Sequence, residues 1–353
     1  MTDQNPSVEQ IDLKQAVNNI LQVVEQEREK EIMIRRFGLK DRRETLEQIG
    51  GYLDITRERV RQLEKAITIR LKIAAENKKI TGLAQSEKII IRNLIELGRV
   101  GRIGELTNKL LNRESTGVEQ SQLSFIAEIS SQLTVIDEND NYYYTVGIFD
   151  YGDKKEVRAR VDEIVNVIKK NKKPMTLTEL DTKLDYEHPS HIEALAKVSK
   201  KLATLNGLWG LVKWPEVNPK NIKDKIYVVL SQAKKPMHFS EINRAIKNSD
   251  FKRKDVTKQA VHNELIKDDR FVLIGRGIYA LSEWGYKKGT VADVITAVLK
   301  NSKEPMGRDD IVKAVLKRRQ VKETTVLLNL QSRPEFKRVA KATYIYQPVD
   351  EQE

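Results

Sequence analysis

The sequence predicts a mainly α-helical chain with small β-hairpins: a helix-turn-helix near the N-terminus, then a tandem array of winged-helix-like modules. Apolar residues near the N-terminus recur at helical spacing, as at Val17, Ile20, Leu21 and Val24. Further on, Lys172-Lys173-Pro174-Met175 is echoed by Lys234-Lys235-Pro236-Met237 and Lys303-Glu304-Pro305-Met306, at intervals of 62 and 69 residues, the mark of a repeat array. Each copy lies between two apolar helical stretches and leads to an aromatic or β-branched stretch that reads as a hairpin. At 353 residues the chain suits several small domains rather than one.

Between Ile11 and Phe37 the spacing predicts one or two helices, ended by Gly38. Thr45-Leu46-Glu47-Gln48 has the form of a capping box, in which the Thr45 hydroxyl and the Gln48 amide serve free backbone N–H groups. In the short helix it opens, Leu46, Ile49 and Leu53 share a face. Asp54-Ile55 forms a turn, and Thr56 caps a longer helix through Val60, Leu63, Ile67 and Leu71. Two helices joined by so short a turn make a helix-turn-helix.

Beyond Thr81-Gly82 come four modules. The first has helices at 89–97, 103–111 and 122–129 and a hairpin over 133–146, turning at Asn139-Asp140-Asn141. The later copies end in hairpins expected at 208–214, 271–281 and 339–346, the middle one hinged on Gly275-Arg276-Gly277. Helix, helix, helix, hairpin is the order of a winged helix. The expected boundaries are a polar segment at 1–19, the helix-turn-helix at 20–80, and modules at 84–150, 156–217, 221–286 and 290–348.

Composition narrows the function. With no cysteine, disulfides, zinc-thiolate centres and cysteine nucleophiles are excluded. Lys and Arg number 63 against 51 Asp and Glu, a net charge of +12, which favours a polyanionic partner such as nucleic acid. No run approaches the roughly 18 apolar residues of a bilayer span, and the polar residues 1–10 lack the layout of a signal peptide. A cytoplasmic, nucleoid-associated location is expected, with no membrane partner, small-molecule substrate or cofactor.

On a wheel of 100° per residue, Val60, Leu63 and Ile67 fall on one side of the Thr56 helix and Glu58, Arg61, Gln62 and Lys65 face outward together. Such a set suits a major groove: Arg can reach guanine O6 and N7, Gln can pair with adenine, and Glu can accept from cytosine N4. Arg57 and Arg59 would reach phosphates or neighbouring bases.

Arg36-Phe37-Gly38-Leu39, Thr45-Leu46-Glu47-Gln48-Ile49-Gly50 and Thr56-Arg57-Glu58-Arg59-Val60-Arg61-Gln62-Leu63-Glu64, in this order and spacing, closely resemble the promoter-binding region four of sigma-70 family factors over residues 25–72. The resemblance implies a bacterial transcription protein that is not an enzyme and reads a promoter −35 element in double-stranded DNA. Arg57, Glu58 and Gln62 then stand at base-contacting positions, with Arg59 and Arg61 near phosphate. Joined with the wheel, base contacts are expected from Arg57, Glu58, Arg61 and Gln62, and phosphate contacts from Thr56, Arg59 and Lys65. The resemblance also implies that helices within 21–37 hold the flap of the RNA polymerase core β subunit. Ala66 and Ile69 stand where the family carries basic residues. All three tryptophans, Trp209, Trp214 and Trp284, lie far downstream of this region, so no aromatic promoter-melting segment is expected before it.

The third module, 221–286, resembles a HARE-type winged helix-turn-helix, the domain also found in the RNA polymerase delta subunit. Pro236-Met237-His238-Phe239-Ser240-Glu241-Ile242, Val256-Thr257-Lys258-Gln259-Ala260-Val261 and residues 271–284 carry that likeness. Thr257 would cap a helix exposing Lys258 and His262, with Arg276 at the wing tip as a second DNA contact. The other modules are expected to space the chain or dock protein. Two further readings of the whole chain are a polymerase-associated scaffold and the DNA-binding subunit of a restriction or repair system.

Other signals are discounted. His188-Pro189-Ser190-His191 reads as a solvated loop, with no carboxylate spaced to complete a metal site. Asp137-Glu138-Asn139-Asp140 lacks the ligand spacing of a calcium loop. Gly98, Gly101 and Gly104 do not follow a phosphate-binding spacing, and no acidic cluster beside a lysine marks a nuclease centre.

Overall fold

The structure, a computed structural model, describes residues 11–184, 186–302 and 304–348. The chain forms two compact units, Met1–Lys213 and Trp214–Glu353. It is mainly helical with small antiparallel sheets.

The first unit opens with α1 (Leu13–Gln22), α2 (Glu27–Phe37), α3 (Leu46–Leu53) and α4 (Arg57–Glu76). Gly38 ends α2 in the left-handed conformation, as a helix C-cap favours. Thr45 and Gln48 complete the expected capping box, the Gln48 side chain accepting from the Thr45 N–H at 2.9 Å. Asp54 turns the chain, and the Thr56 hydroxyl accepts from the Arg59 N–H at 3.2 Å to start α4.

A repeated pattern follows. Its first copy is α5 (Leu83–Leu97), β1 (Val100–Arg102), α6 (Ile103–Leu111), α7 (Gly117–Ile129), β2 (Leu133–Ile136) and β3 (Thr145–Ile148). The second is α8 (Lys154–Asn171), β4 (Met175–Thr176), α9 (Leu177–Asp181), α10 (Pro189–Val198), β5 (Leu202–Leu205) and β6 (Leu208–Leu211).

The second unit holds the other two copies. One is α11 (Ile222–Ala233), β7 (Met237–His238), α12 (Phe239–Asn248), α13 (Lys258–Lys267), β8 (Phe271–Gly275) and β9 (Ile278–Leu281). The other is α14 (Val291–Asn301), β10 (Met306–Gly307), α15 (Arg308–Leu316), α16 (Glu323–Ser332), β11 (Phe336–Ala340) and β12 (Thr343–Tyr346). In every copy the last strand lies between the other two and pairs antiparallel with both.

The recurrent Pro-Met pair has a structural reason. Lys172 and Lys234 end their helices at positive φ; the proline cannot continue a helix; and the methionine opens the short first strand, Met175 facing Trp209 and Met237 facing Tyr279. Lys303, which heads the third copy of the motif, lies outside the described residues.

Several boundaries move. Residues 1–10 lie outside the described residues, and residues 11–19 are not a polar lead. Leu13, Ala16 and Val17 of α1 are buried, because α1 packs on α7. The helix-turn-helix is not separate from the first module either, since one core runs from Ile11 to Val146. The cause is α7, whose Leu123, Phe125, Ile126, Ala127 and Ile129 are buried on all sides and need cover from both directions. Phe125 lies 4.9 Å from the Phe37 ring, and the buried Gln122 amide donates to the Leu39 carbonyl at 3.0 Å.

The hairpin expected at 208–214 is formed by β5 and β6 and ends at Leu211; the one expected at 339–346 begins at Phe336. In both places one strongly apolar strand stands out in sequence and its more polar partner does not. His188 and His191 are not in a solvated loop. Pro189 suits the first turn of a helix, His188 Nδ1 accepts from the Ser190 N–H at 3.1 Å as the cap of α10, and His191 is buried against the Tyr151 ring.

Candidate nucleic-acid interface

The pair α3–α4 stands on a small apolar seat. Ile32 of α2, Ile49 of α3 and Val60 of α4 are fully buried together, with Leu46, Leu53, Ile55 and Leu63 around them. Burying Val60 and Ile67 fixes the rotation of α4 and turns Arg57, Glu58, Arg61, Gln62 and Lys65 outward, all at least partly exposed. Arg59 and Thr56 are exposed at the start of the same helix. The seven residues singled out in sequence thus lie within its first three turns.

These side chains hold one another. Arg61 grips Glu58 with two hydrogen bonds, of 2.9 and 2.7 Å; the Gln62 amide donates to the same carboxylate at 3.4 Å, and Arg59 reaches the Gln62 oxygen at 3.5 Å. The hydrogen bond from Arg61 is the main cause that holds the Glu58 carboxyl below its ordinary range. Behind this face, Arg36 ties α2 to α4 through Glu64 at 3.0 Å, and Arg70 meets Glu29 at 2.5 Å. A chelated Glu58–Arg61–Gln62 set restrains long side chains that would otherwise lose rotamer freedom on meeting a base.

A cleft of about 470 Å³ opens beside the later turns of α4, against the first module. Arg36, Arg43, Arg61, Lys65, Lys72 and Lys154 line it, opposed by Glu64, Glu128 and Asp137. Its basic groups come from separate segments, and no local pattern announces it. Lys72 is fastened to Glu128 at 2.7 Å, and Lys154 pairs with Asp137.

In the second unit, Lys258 is exposed at the start of α13, below the Thr257 cap, and Arg276 is exposed at the turn between β8 and β9. His262 departs from the expected outward position. It is half-buried, its ring 4.8 Å from Phe239 and 6.1 Å from Tyr279.

The helix that occupies the third place in each module differs in surroundings. In the first module α7 is enclosed by α1, α2 and α4. In the second, α10 is packed against β1. There Arg102 donates to the Lys197 carbonyl, the Tyr143 N–H donates to the Val198 carbonyl at 2.9 Å, and the Tyr142 hydroxyl donates to Asp162 at 2.7 Å. In contrast, α13 buries only Val261 and Leu265, and α16 only Val326 and Leu330.

Among the described residues no group of three or more His, Asp or Glu is placed to hold a metal ion, and no helix is long and apolar enough to cross a membrane. Residues 26–72 match the family model of sigma-70, region 4. The matched stretch runs from just before α2 to Lys72 of α4 and so contains the whole chelated face.

Proposed function

We propose that the chain is a sigma-like, DNA-binding transcription regulator that reads promoter DNA of the −35 type with α4. What carries the reading is the outward face Arg57, Glu58, Arg61 and Gln62, held in one orientation by the buried Val60 and Ile67 and lying inside the region-4 match. Arg61 or Arg57 would take a guanine, Gln62 an adenine, and Glu58 a cytosine amino group. Thr56, Arg59 and Lys65 would meet phosphates and set the register.

Association with the RNA polymerase core, through the β flap, is part of the same proposal. Residues 21–37 have little free apolar surface, because Leu21, Ile32 and Met33 are buried within the chain. The contact would use the exposed edge at Gln26, Glu27 and Arg28. The third module, similar to a HARE-type winged helix, would add a second DNA contact through Lys258 and Arg276, with His262 serving as packing beneath them.

The test is binding of the full chain to its preferred duplex, selected from a random pool, and to a scrambled one. Gln62→Ala should lose affinity for the preferred duplex and spare the scrambled one, whereas Arg59→Ala should weaken both alike and flatten the salt dependence. Equal losses on the two duplexes for Gln62→Ala would remove α4 from base reading.

A further inference from the structure

Most of the positive surplus of this protein lies outside the unit that holds α4. Residues 214–353 contain 28 Lys and Arg against 18 Asp and Glu, so ten of the twelve surplus charges belong to the second unit. The first unit, taken as a whole, is nearly balanced.

The hairpin tips follow the same division. The tip of the first module carries Asp137, Glu138 and Asp140, and that of the second is Asn206-Gly207. In the third module Arg276 occupies the turn, directly after a strand with an irregularity between Leu273 and Gly275. The fourth repeats this geometry: β11 is irregular between Arg338 and Ala340, Lys341 stands where Arg276 stands, and Ala342 takes the positive φ that Gly277 takes. Lys337, Arg338 and Lys341 are all exposed, and among the described residues none is ion-paired with a carboxylate.

The neighbouring helix is equally open. Thr324, Leu328 and Gln331 of α16 are exposed or half-exposed, and Leu328 retains 63% of its surface. The module is also firmly carried. The Arg319 guanidinium is buried and donates to the carbonyls of Leu273, Lys287 and Gly289, and the Gln320 N–H donates to the Ile274 carbonyl at 2.9 Å. The bonds to Leu273 and Ile274 fasten the fourth module to strand β8 of the third, and those to Lys287 and Gly289 hold the segment between the two modules.

We infer that the fourth module is a double-stranded DNA-binding module that grips phosphates with its hairpin, through Lys341 in the turn and Lys337 and Arg338 along β11, while α16 lies against a groove. Three cations free of carboxylate partners on one hairpin release counterions when they meet a phosphate backbone. The exposed Leu328 is suited to contact with a thymine methyl. This site does not depend on α4 reading bases.

The experiment measures binding of the full chain to a labelled duplex of scrambled sequence across a salt series. For Lys337→Ala/Arg338→Ala/Lys341→Ala, the slope of log affinity against log salt should shrink by about 2 to 3, at roughly 0.9 for each phosphate that is no longer neutralised, and binding at low salt should fall at least tenfold. Because the three side chains are exposed, an unchanged melting temperature should accompany the loss. Lys337→Arg/Lys341→Arg should retain both slope and affinity. Failure of α4 reads differently: Gln62→Ala changes the ratio of preferred to scrambled binding and leaves the slope in place. An unchanged slope in the triple variant overturns the inference. So does a loss confined to a single-stranded RNA or a polyglutamate probe.

Discussion

Helices α10 and α13 hold the same place in consecutive repeats and are both ten residues long, yet they face opposite surroundings. Ile192, Ala194, Leu195, Ala196 and Val198 of α10 are buried, because α10 packs on α8 and α9 of its own module and also on β1 and α5 of the first. On α13 only Val261 and Leu265 are buried, while Lys258, Gln259 and Asn263 are exposed. The third helix of the repeat is therefore packed against the rest of the chain in one copy and left open in the next, and the side chains on its outer face decide which. Apolar outer faces, in α7 and α10, build the first unit into one body. Polar outer faces, in α4 and α13, remain free.

The sharpest break of this contrast is in the buried class. Phe125→Ala on α7 should cost about 3 to 5 kcal/mol, the usual cost of emptying a fully packed aromatic site, whereas Lys258→Ala on α13 should stay within about 0.5 kcal/mol. Urea unfolding of the two variants checks the pair. Comparable losses would mean that the two helices are not differently used.

Next is the contact between the first two modules. Gly98 sits at φ +99, and a Cβ there would collide with the Ser190 carbonyl at the foot of α10. Gly98→Ala should cost about 2 to 4 kcal/mol through backbone strain and displacement of α10, read from thermal melting. A change below about 1 kcal/mol would show that α10 is not seated there as described.

The free class is sharpened by Gln62→Ala, which should lose about 1 to 3 kcal/mol of discrimination between the preferred and the scrambled duplex without altering the melting temperature. Competition binding checks it.

The smallest effect concerns pH. Glu119 is held down to about 2, first by its hydrogen bond from Arg113 and then by the Thr116 N–H in the capping box that starts α7. A carboxyl depressed in the folded state adds stability that is complete above its unfolded value, about 4.3, and is lost as pH falls towards the folded value. Glu119→Gln should therefore flatten the melting curve's dependence on pH between about 4.3 and 2 and leave that above it unchanged. A variant that keeps the parent slope in that window would contradict this role.

The helix-turn-helix was legible in sequence because its signals are local. Thr45 with Gln48, the Asp54 turn, the Thr56 cap and the 3.6-residue spacing of Val60, Leu63 and Ile67 are each set by near neighbours. The short first strands at Met175, Met237 and Met306 were not legible, since two residues carry no periodicity and exist only by pairing with a strand far along the chain. The cover over α7 was hidden for the same reason: nothing in α1 announces which helix it will meet. The charge surplus was visible as a total, but its concentration in the second unit appears only once the chain is divided.

Photo-crosslinking of the full chain to its preferred duplex tests the division most directly, with a probe placed in turn at Gln62 on α4, Lys258 on α13 and Glu193 on α10. Strong adducts from Gln62 and Lys258 and none from Glu193 are predicted. An adduct from Glu193 as strong as that from Gln62, or none from Gln62, would contradict it.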